Sequence, residues 1–315
     1  MTTNERHIIF GTGPLGQAVM RALLNRGKTV RMINRTGKAD VPQTVEVVSA
    51  DVNDPAQVFT WTQGAVAAYQ CAQPAYTQWA EKFPPMQRSI VEGVARAGAK
   101  LVVAENLYMY GDTNGAVMSE NTPWNTHTRK GKARAKMSRE LLDAHKAGKL
   151  RVVMGRGSDF YGPQVSGSSI GERAFMPLVQ GKAAEAYGNL DLPHTVTFID
   201  DFGESLVRLG ESDAAFGQAW HIPNAATVTQ REFLTMAFEL VKHEPKFNVM
   251  GRMMLRIGGL FIPEAREIIE MMYEFEKPFI VDDSKYKQAF GDHSTPMRDA
   301  LKQTIDWYQQ HLQHA

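Results

Sequence analysis

An apolar run near the start of the chain leads directly into a glycine-rich turn. His-Ile-Ile-Phe at positions 7–10 precedes the turn Gly11-Thr12-Gly13-Pro14-Leu15-Gly16, and a helix-compatible stretch follows up to Asn25. With this spacing, Gly11 allows a tight turn, Gly13 lets the backbone approach a pyrophosphate and Gly16 lets the helix pack against the strand. The helix N-terminus then offers free N–H groups to the phosphates. These residues predict a strand–turn–helix unit that binds a dinucleotide; a plain structural turn is the alternative.

The end of the second predicted strand, residues 29–36, favours NADP(H) over NAD(H). Sites for NAD usually carry an Asp or Glu about 20 residues after the glycines, where it binds the ribose 2′-OH. This chain has Asn34 and Arg35 there. A guanidinium can pair with a 2′-phosphate, which a carboxylate would repel. NAD stays an alternative cofactor, since Arg35 could instead be a solvated surface residue.

Strand-like and helix-like segments alternate after this unit. Further strands are predicted at 45–52, 65–70, 100–105 and 150–155, and helices at 87–97 and 130–146. This alternation predicts an α/β fold of the Rossmann type, with a doubly wound parallel sheet and a smaller C-terminal substrate lobe. We assign residues 1–165 to the dinucleotide-binding core, and residues 166–315 to later core elements and the substrate lobe.

Composition limits the classes of function. The 315 residues are 43% hydrophobic, carry a net charge of +1 and include one cysteine. The charge gives no bias toward nucleic acid, and the chain has neither paired cysteines nor a His-x-x-x-His spacing for a metal. We also expect no membrane span, because no uncharged apolar run approaches 18 residues, and a cytoplasmic location, because no apolar leader precedes the first strand.

Several further motifs resemble the extended and atypical branch of the short-chain dehydrogenase/reductase superfamily, the NAD-dependent epimerase/dehydratase family. The resemblance covers most of the chain and places Asp51 and Val52 at the adenine, the end of the fourth strand at the nicotinamide ribose, and the turn that begins at Phe160 beside the nicotinamide. It also implies a small-molecule substrate, and a homodimer formed through the two long helices is one option. The motifs are Asp51-Val52, Tyr110-Gly111-Asp112, Ser119-Glu120-Asn121-Thr122-Pro123, Arg156-Gly157-Ser158-Asp159-Phe160-Tyr161-Gly162-Pro163 and Val196-Thr197-Phe198-Ile199-Asp200-Asp201; the cofactor contacts that the fourth strand adds are Gln70, Cys71 and Ala72.

The catalytic motif of that family is missing. Members that oxidise and reduce alcohols carry Tyr-x-x-x-Lys on the helix after the fifth strand and a serine near the end of that strand; the phenol exchanges a proton with the substrate oxygen. Here the best-aligned spacing pairs Lys132 with Lys136, so lysine stands in place of tyrosine. Glu105 or Asn106, depending on register, replaces the serine.

Three interpretations fit this loss. In the first, an atypical NADP(H)-dependent oxidoreductase takes its proton from Tyr108, Tyr110 or a lysine of the 130–136 segment. Lys136 is the first candidate there, and it would also contact the cofactor. In the second, the lysines only hold the cofactor, and the protein is a redox sensor or regulatory protein without turnover. In the third, the basic helix is a solvated surface.

The second half suggests the substrate class. Residues 247–275 are rich in methionine and aromatic side chains, which could line an adaptable apolar pocket or form a core. We therefore expect a small, rather apolar carbonyl, enone or quinone-like substrate, with a nucleotide sugar as the alternative. His194 is expected to be structural, and Asp201 to cap a helix. Cys71 is not expected to act as a nucleophile, because no base is adjacent.

Overall fold

Interleaved stretches of the chain form two units in the computed structural model, which describes residues 5–312. Unit 1 contains the described residues up to Met109, Arg129–Arg156 and Phe202–Ile222. Unit 2 contains Tyr110–Thr128, Gly157–Asp201 and the described residues from Pro223 onward. Part of the predicted second region, residues 202–222, thus belongs to the same unit as the glycine turn.

Unit 1 is built on a seven-stranded parallel sheet. The strand order is β11-β6-β5-β4-β1-β2-β3, so the order reverses between β1 and β4. In open sheets of this kind ligands bind at the carboxyl ends of the strands beside such a reversal. This confirms the predicted α/β fold of the Rossmann type. The strands are β1 (Arg6–Phe10), β2 (Thr29–Asn34), β3 (Glu46–Ser49), β4 (Ala67–Gln70), β5 (Lys100–Glu105), β6 (Val152–Arg156) and β11 (Ala219–His221).

Helices cover the sheet of unit 1. They are α1 (Pro14–Leu24), α2 (Pro55–Thr62), α3 (Trp79–Ala97), α4 (Arg129–Lys146) and most of α6 (Ile199–Glu211).

Helix α3 starts eight residues before the predicted start at Gln87. Pro84 and Pro85 lie inside it, and prolines disfavour a helix interior because they lack the N–H donor. The buried rings of Trp79 and Phe83 pack into the core of unit 1 and stabilise this first part of the helix.

Unit 2 contains three two-stranded sheets and most of the short helices. Strand β7 pairs in parallel with β10, β8 pairs in parallel with β13, and β9 pairs antiparallel with β12. The strands are β7 (Asp159–Tyr161), β8 (Ala184–Tyr187), β9 (Pro193–His194), β10 (Val196–Phe198), β12 (Val228–Thr229) and β13 (Phe247–Met250). The helices are α5 (Glu172–Val179), α7 (Gln230–Leu240), α8 (Arg252–Gly258), α9 (Pro263–Ile269), α10 (Tyr273–Glu276), α11 (Ser284–Phe290) and α12 (Met297–Leu312).

The methionine-rich segment of unit 2 divides into two parts. Met272 and Phe275 are buried in a small core with Tyr187, as the core interpretation expects. Met253 and Phe261, on and after α8, are exposed instead. The segment therefore contributes both a core and an apolar surface. Among residues 5–312, no helix is both long and apolar enough to cross a membrane.

Candidate functional site

The glycine turn connects β1 to α1 in the expected geometry. Gly11 has a φ of +104°, and a Cβ there would lie 2.8 Å from the backbone nitrogen of Ala72. A Cβ on Gly16 would lie 2.2 Å from the Gly11 carbonyl oxygen. Both positions therefore require glycine, for backbone conformation or for close packing.

Gly13 differs from the other two glycines because a Cβ there would meet no heavy atom within 4 Å. It is the N-cap of α1, it provides no side-chain cap, and Pro14 follows at the first helical position. The first N–H groups of α1 have no partner within the helix, and the helix dipole is positive at this end. This open, uncapped helix start fits the pyrophosphate of a dinucleotide.

We expect Gly13→Val to weaken NADPH binding at least about a hundredfold, because the side chain would fill the space that the pyrophosphate needs. Folding should lose only about 1 kcal/mol, the cost of a poorer N-cap. Fluorescence titration with NADPH and thermal unfolding measure the two effects. Gly16→Ala is the matched control and should instead destabilise the fold. Tight NADPH binding by Gly13→Val would contradict a pyrophosphate at this turn.

Asn34 and Arg35 have different positions at the end of β2. The Asn34 amide donates to Thr12 Oγ1 at 2.9 Å and to the Lys38 carbonyl at 2.8 Å, so it fixes the loop against the glycine turn. Arg35 is exposed, and its guanidinium makes no hydrogen bond or ion pair with any residue from 5 to 312. It is therefore available to an anionic ligand.

The other predicted cofactor residues lie at the ends of β3 and β4. Asp51 accepts hydrogen bonds from the backbone and side-chain nitrogens of Asn53, and Val52 packs at the edge of the core. Gln70 is buried, and neither polar atom of its amide has a hydrogen-bond partner within the described residues. Burial raises the pKa of the neighbouring Cys71 thiol to about 12, so this thiol is a poor nucleophile at neutral pH.

The cationic side chains that α4 buries are Lys130 and Arg134. The motif alignment suggests a different pair, Lys132 and Lys136. Lys130 is 1% exposed and Arg134 is 2% exposed. The Lys130 ammonium lies 4.4 Å from the ring centroid of Tyr76, and the Arg134 guanidinium lies 4.9 Å from that of Phe83. The two cations are one helical turn apart, and aromatic faces are favourable partners for both.

Lys132 and Lys136 lie on the outer face of α4. Both are exposed and line an open depression between α3 and α4, together with Arg88 and Pro84. The predicted candidate Lys136 therefore lies on the exposed face of α4, whereas Lys130 and Arg134 lie on its buried face.

Glu105 is the last residue of β5 and is one of the two residues, with Asn106, that the sequence aligns with the family's serine. Its carboxylate accepts hydrogen bonds from Arg156 Nε at 3.0 Å and from the Ser138 hydroxyl. The Arg134 guanidinium lies 4.0 Å from Glu105 and donates to the Ala104 carbonyl at 3.2 Å. Burial lowers the pKa of Arg134, and the charge of Glu105 opposes that shift. We refer to Glu105, Arg134, Ser138 and Arg156 as the Glu105 cluster.

The three remaining aromatic candidates have separate locations. The Tyr108 hydroxyl lies 3.3 Å from that of Tyr76 in unit 1, near Lys130. Tyr110 is buried in unit 2. Phe160 is half-buried on β7, also in unit 2.

Two residues that the sequence analysis set aside have specific contacts in unit 2. Asp201 lies in the first turn of α6, where it accepts hydrogen bonds from the backbone nitrogen and hydroxyl of Thr295. Burial raises its pKa to about 6. His194 is hydrogen-bonded to Asp159 at 2.9 Å. Among the described residues, no group of three or more His, Cys, Asp or Glu side chains could hold a metal ion.

The inward pair on α4 was recognisable from helical periodicity. Met137 and Leu141 are apolar and set the buried face of the helix. Positions three and seven residues before Met137 share that face, and they are Arg134 and Lys130. The four-residue motif spacing alone pairs Lys132 with Lys136 and does not use this period, so it does not single out Lys130 or Arg134.

The parallel sheet and glycine turn define the class of Rossmann-type α/β proteins. Residues 8–221 match the model of the NAD dependent epimerase/dehydratase family. That match spans more than half of the chain, and the chain belongs to this family.

Individual relatives are more distant. An Arabidopsis thaliana trifunctional UDP-glucose 4,6-dehydratase/UDP-4-keto-6-deoxy-D-glucose 3,5-epimerase/UDP-4-keto-L-rhamnose-reductase is 22% identical over 161 residues, 51% of this chain and 21% of the relative. The chain thus spans about a fifth of the length of this curated relative.

Solved structures show the same fold over nearly the full length. UDP-glucuronic acid 4-epimerase from Bacillus cereus in complex with NAD has a TM-score of 0.77 and 15% identity, with coverage of 97% of this chain and 99% of that chain. UDP-glucose 4-epimerase from Thermus thermophilus, also in complex with NAD, has a TM-score of 0.77 and 17% identity, with coverage of 96% and 99%.

Proposed function

We propose that the protein is an NADP(H)-dependent oxidoreductase of the epimerase/dehydratase family in which Lys130 replaces the catalytic tyrosine. The observation that carries the proposal is the inward position of Lys130 at the first turn of α4, with Arg134 one turn later. This pair reproduces the four-residue spacing of the family's tyrosine and lysine on the buried face of the expected helix.

The chemistry assigned to Lys130 is proton exchange with the substrate oxygen. When bound, the dinucleotide would supply or accept a hydride at the nicotinamide C4. In the reducing direction, Lys130 Nζ would give a proton to the carbonyl oxygen, leaving an alcohol and a neutral amine. In the oxidising direction the amine would take the proton back. Arg134 would hold the nicotinamide ribose, the role of the motif lysine in this family.

Nucleotide sugars are the first substrate class to test. The relatives named above are described as enzymes of UDP-sugars, and they favour this alternative over the apolar carbonyl that the sequence suggested. No comparison supports the apolar carbonyl or quinone. We therefore propose a nucleotide sugar, oxidised or reduced at a hydroxyl or keto carbon.

The direct test is NADPH oxidation, and NADP⁺ reduction for the reverse direction, with UDP-sugars, ketones, enones and quinones. Turnover of UDP-sugars by the wild type would support the full proposal. Turnover of ketones or quinones alone would overturn the substrate class but keep the oxidoreductase assignment. Tight NADPH binding without turnover on any class would favour the redox sensor.

We propose NADP(H) as the cofactor because Arg35 is exposed at the end of β2 without a partner among residues 5–312, while Asn34 supplies no carboxylate. The two solved structures named above are complexes with NAD, so a preference for NADP(H) would distinguish this chain from them.

We expect Arg35→Ala to weaken NADPH binding about ten- to hundredfold, the effect of losing a charge-assisted hydrogen bond. NADH binding should change less than about threefold, since NADH lacks the 2′-phosphate. Fluorescence titration of both cofactors measures the ratio. Raising the salt concentration should reduce the NADPH preference of the wild type, because Arg35 is exposed to screening. An equal loss for both cofactors would contradict the assignment.

A further inference from the structure

A carboxylate at the start of β7 is held in a fixed orientation inside unit 2. Asp159 Oδ2 is hydrogen-bonded to His194 Nε2 at 2.9 Å. The imidazole of His194 is stacked between two phenyl rings, with centroid distances of 5.1 Å to Phe275 and 5.0 Å to Phe279. Because these rings restrict the imidazole, the imidazole in turn restricts the rotation of the carboxylate.

The backbone around Asp159 is fixed as well. Strand β7 pairs with β10, and Asp159 lies opposite Val196. The preceding residue, Ser158, makes two hydrogen bonds of its own: its N–H donates to Thr197 Oγ1 at 2.9 Å and its hydroxyl donates to the Thr195 carbonyl at 2.5 Å. These buried hydrogen bonds attach the start of β7 to residues 195–197 of the same chain. The Asp159 carboxylate is therefore carried by a rigid backbone.

One oxygen of this carboxylate remains available. Asp159 Oδ1 has no hydrogen-bond partner among residues 5–312, and 14% of the side chain is exposed, whereas His194 is 3% exposed. A carboxylate oxygen only accepts hydrogen bonds. The fixed Oδ1 is therefore suited to a ligand group that donates one.

A second carboxyl group belongs to Glu274, the residue before Phe275, whose ring stacks on His194. Glu274 is buried on α10, and its Oε1 has no partner within the described part of the chain. Burial, together with the charge of Asp159, raises the pKa of Glu274 well above its usual range. Burial thus favours the neutral form of the Glu274 carboxyl, and a neutral hydroxyl is a better donor to Asp159 here than the ammonium group that two charged carboxylates would attract.

We infer that Asp159, oriented by His194, is a substrate-anchoring residue whose Oδ1 accepts a hydrogen bond from a hydroxyl group of a polyhydroxylated substrate. The inference rests on the proposed function and narrows its substrate class to molecules with a hydroxyl donor. His194 acts through Asp159 and is a positioning residue. Neither side chain is among the site residues predicted from the sequence.

The test is calorimetric titration of the full chain with UDP-glucose, D-glucose, cyclohexanone and cyclohexylamine, each with and without NADPH. The variants are Asp159→Ala, His194→Phe, which keeps an aromatic ring between the phenyl groups, and the control Asp191→Ala, whose carboxylate is exposed and paired with Arg231. Circular dichroism and thermal unfolding check that each variant is folded.

We expect Asp159→Ala to weaken UDP-glucose binding about ten- to hundredfold, as for the loss of a hydrogen bond to a charged acceptor. His194→Phe should show a smaller loss in the same direction, and Asp191→Ala should bind like the wild type. Cyclohexanone, which has no hydroxyl, should not distinguish Asp159→Ala from the wild type.

Three results would overturn the inference: equal UDP-glucose affinity in folded Asp159→Ala and the wild type, no binding of either hydroxylated probe to the wild type, or binding of cyclohexylamine alone. Under each of these results, the enzyme could still transfer a hydride between NADPH and cyclohexanone. The inference about Asp159 can therefore fail while the oxidoreductase assignment stands. Failure of NADPH to bind would contradict that assignment instead, and the titrations without NADPH would still decide the role of Asp159.

Discussion

Replacing Lys130 with methionine is expected to lower kcat/KM about 10²- to 10⁴-fold, the contribution that a positioned acid–base group makes to proton transfer. Methionine keeps much of the unbranched apolar stem, so the contact with the Tyr76 ring is largely preserved. NADPH affinity should change less than about threefold, because the proposed role of Lys130 is on the substrate oxygen. Steady-state rates with the best substrate of the panel and fluorescence titration with NADPH measure the two quantities.

The matched control is Lys136→Met. It removes the same charge from the same helix, but from the exposed face, and should leave kcat and KM close to the wild-type values. Lys130→Tyr restores the family's phenol and should retain more activity than Lys130→Met. If Lys136→Met abolished turnover and Lys130→Met did not, the motif alignment would be right and the assignment of Lys130 wrong.

The fold was predictable because its signals are local. The apolar runs of β1 and β5 each mark one buried strand. Gly11 and Gly16, which start and end the turn, each mark one position where the backbone packs too closely for a side chain. The start of α3 was missed because Pro84 and Pro85 oppose a helix locally, while the burial of Trp79 against distant residues overrides them.

The site was less predictable because its parts come from separate elements. Glu105 follows from its position at the end of β5, but its partners Arg156 and Ser138 lie 51 and 33 residues away. The fixed orientation of Asp159 depends on His194, 35 residues later, and on rings beyond residue 270. No pattern in a single sequence specifies such contacts, whereas the inward face of α4 required only the 3.6-residue period.

Glu105→Gln is expected to destabilise the protein by about 3–5 kcal/mol, since removing one partner of a buried ion pair leaves the other charge uncompensated. Glu105 is the carboxylate that Arg156 and Ser138 contact, and Arg134 lies within 4.0 Å of it. Glutamine preserves the size of the side chain, so the loss reports the charge and its hydrogen bonds and not a cavity. Urea unfolding without cofactor measures the free energy of unfolding.

The exposed pair Lys302–Asp306, at 2.6 Å, provides the control, and Asp306→Asn should cost no more than about 1 kcal/mol because solvent screens the pair.

The double variant Glu105→Met/Arg156→Met removes both charges of the closest pair. It should be more stable than Glu105→Gln, because burying apolar groups avoids the desolvation cost that an unpaired Arg156 would carry. A double variant no more stable than Glu105→Gln would mean that Arg134 or Ser138, and not Arg156, depends most on the carboxylate. A Glu105→Gln protein as stable as the wild type would contradict an ionic role for the Glu105 cluster altogether.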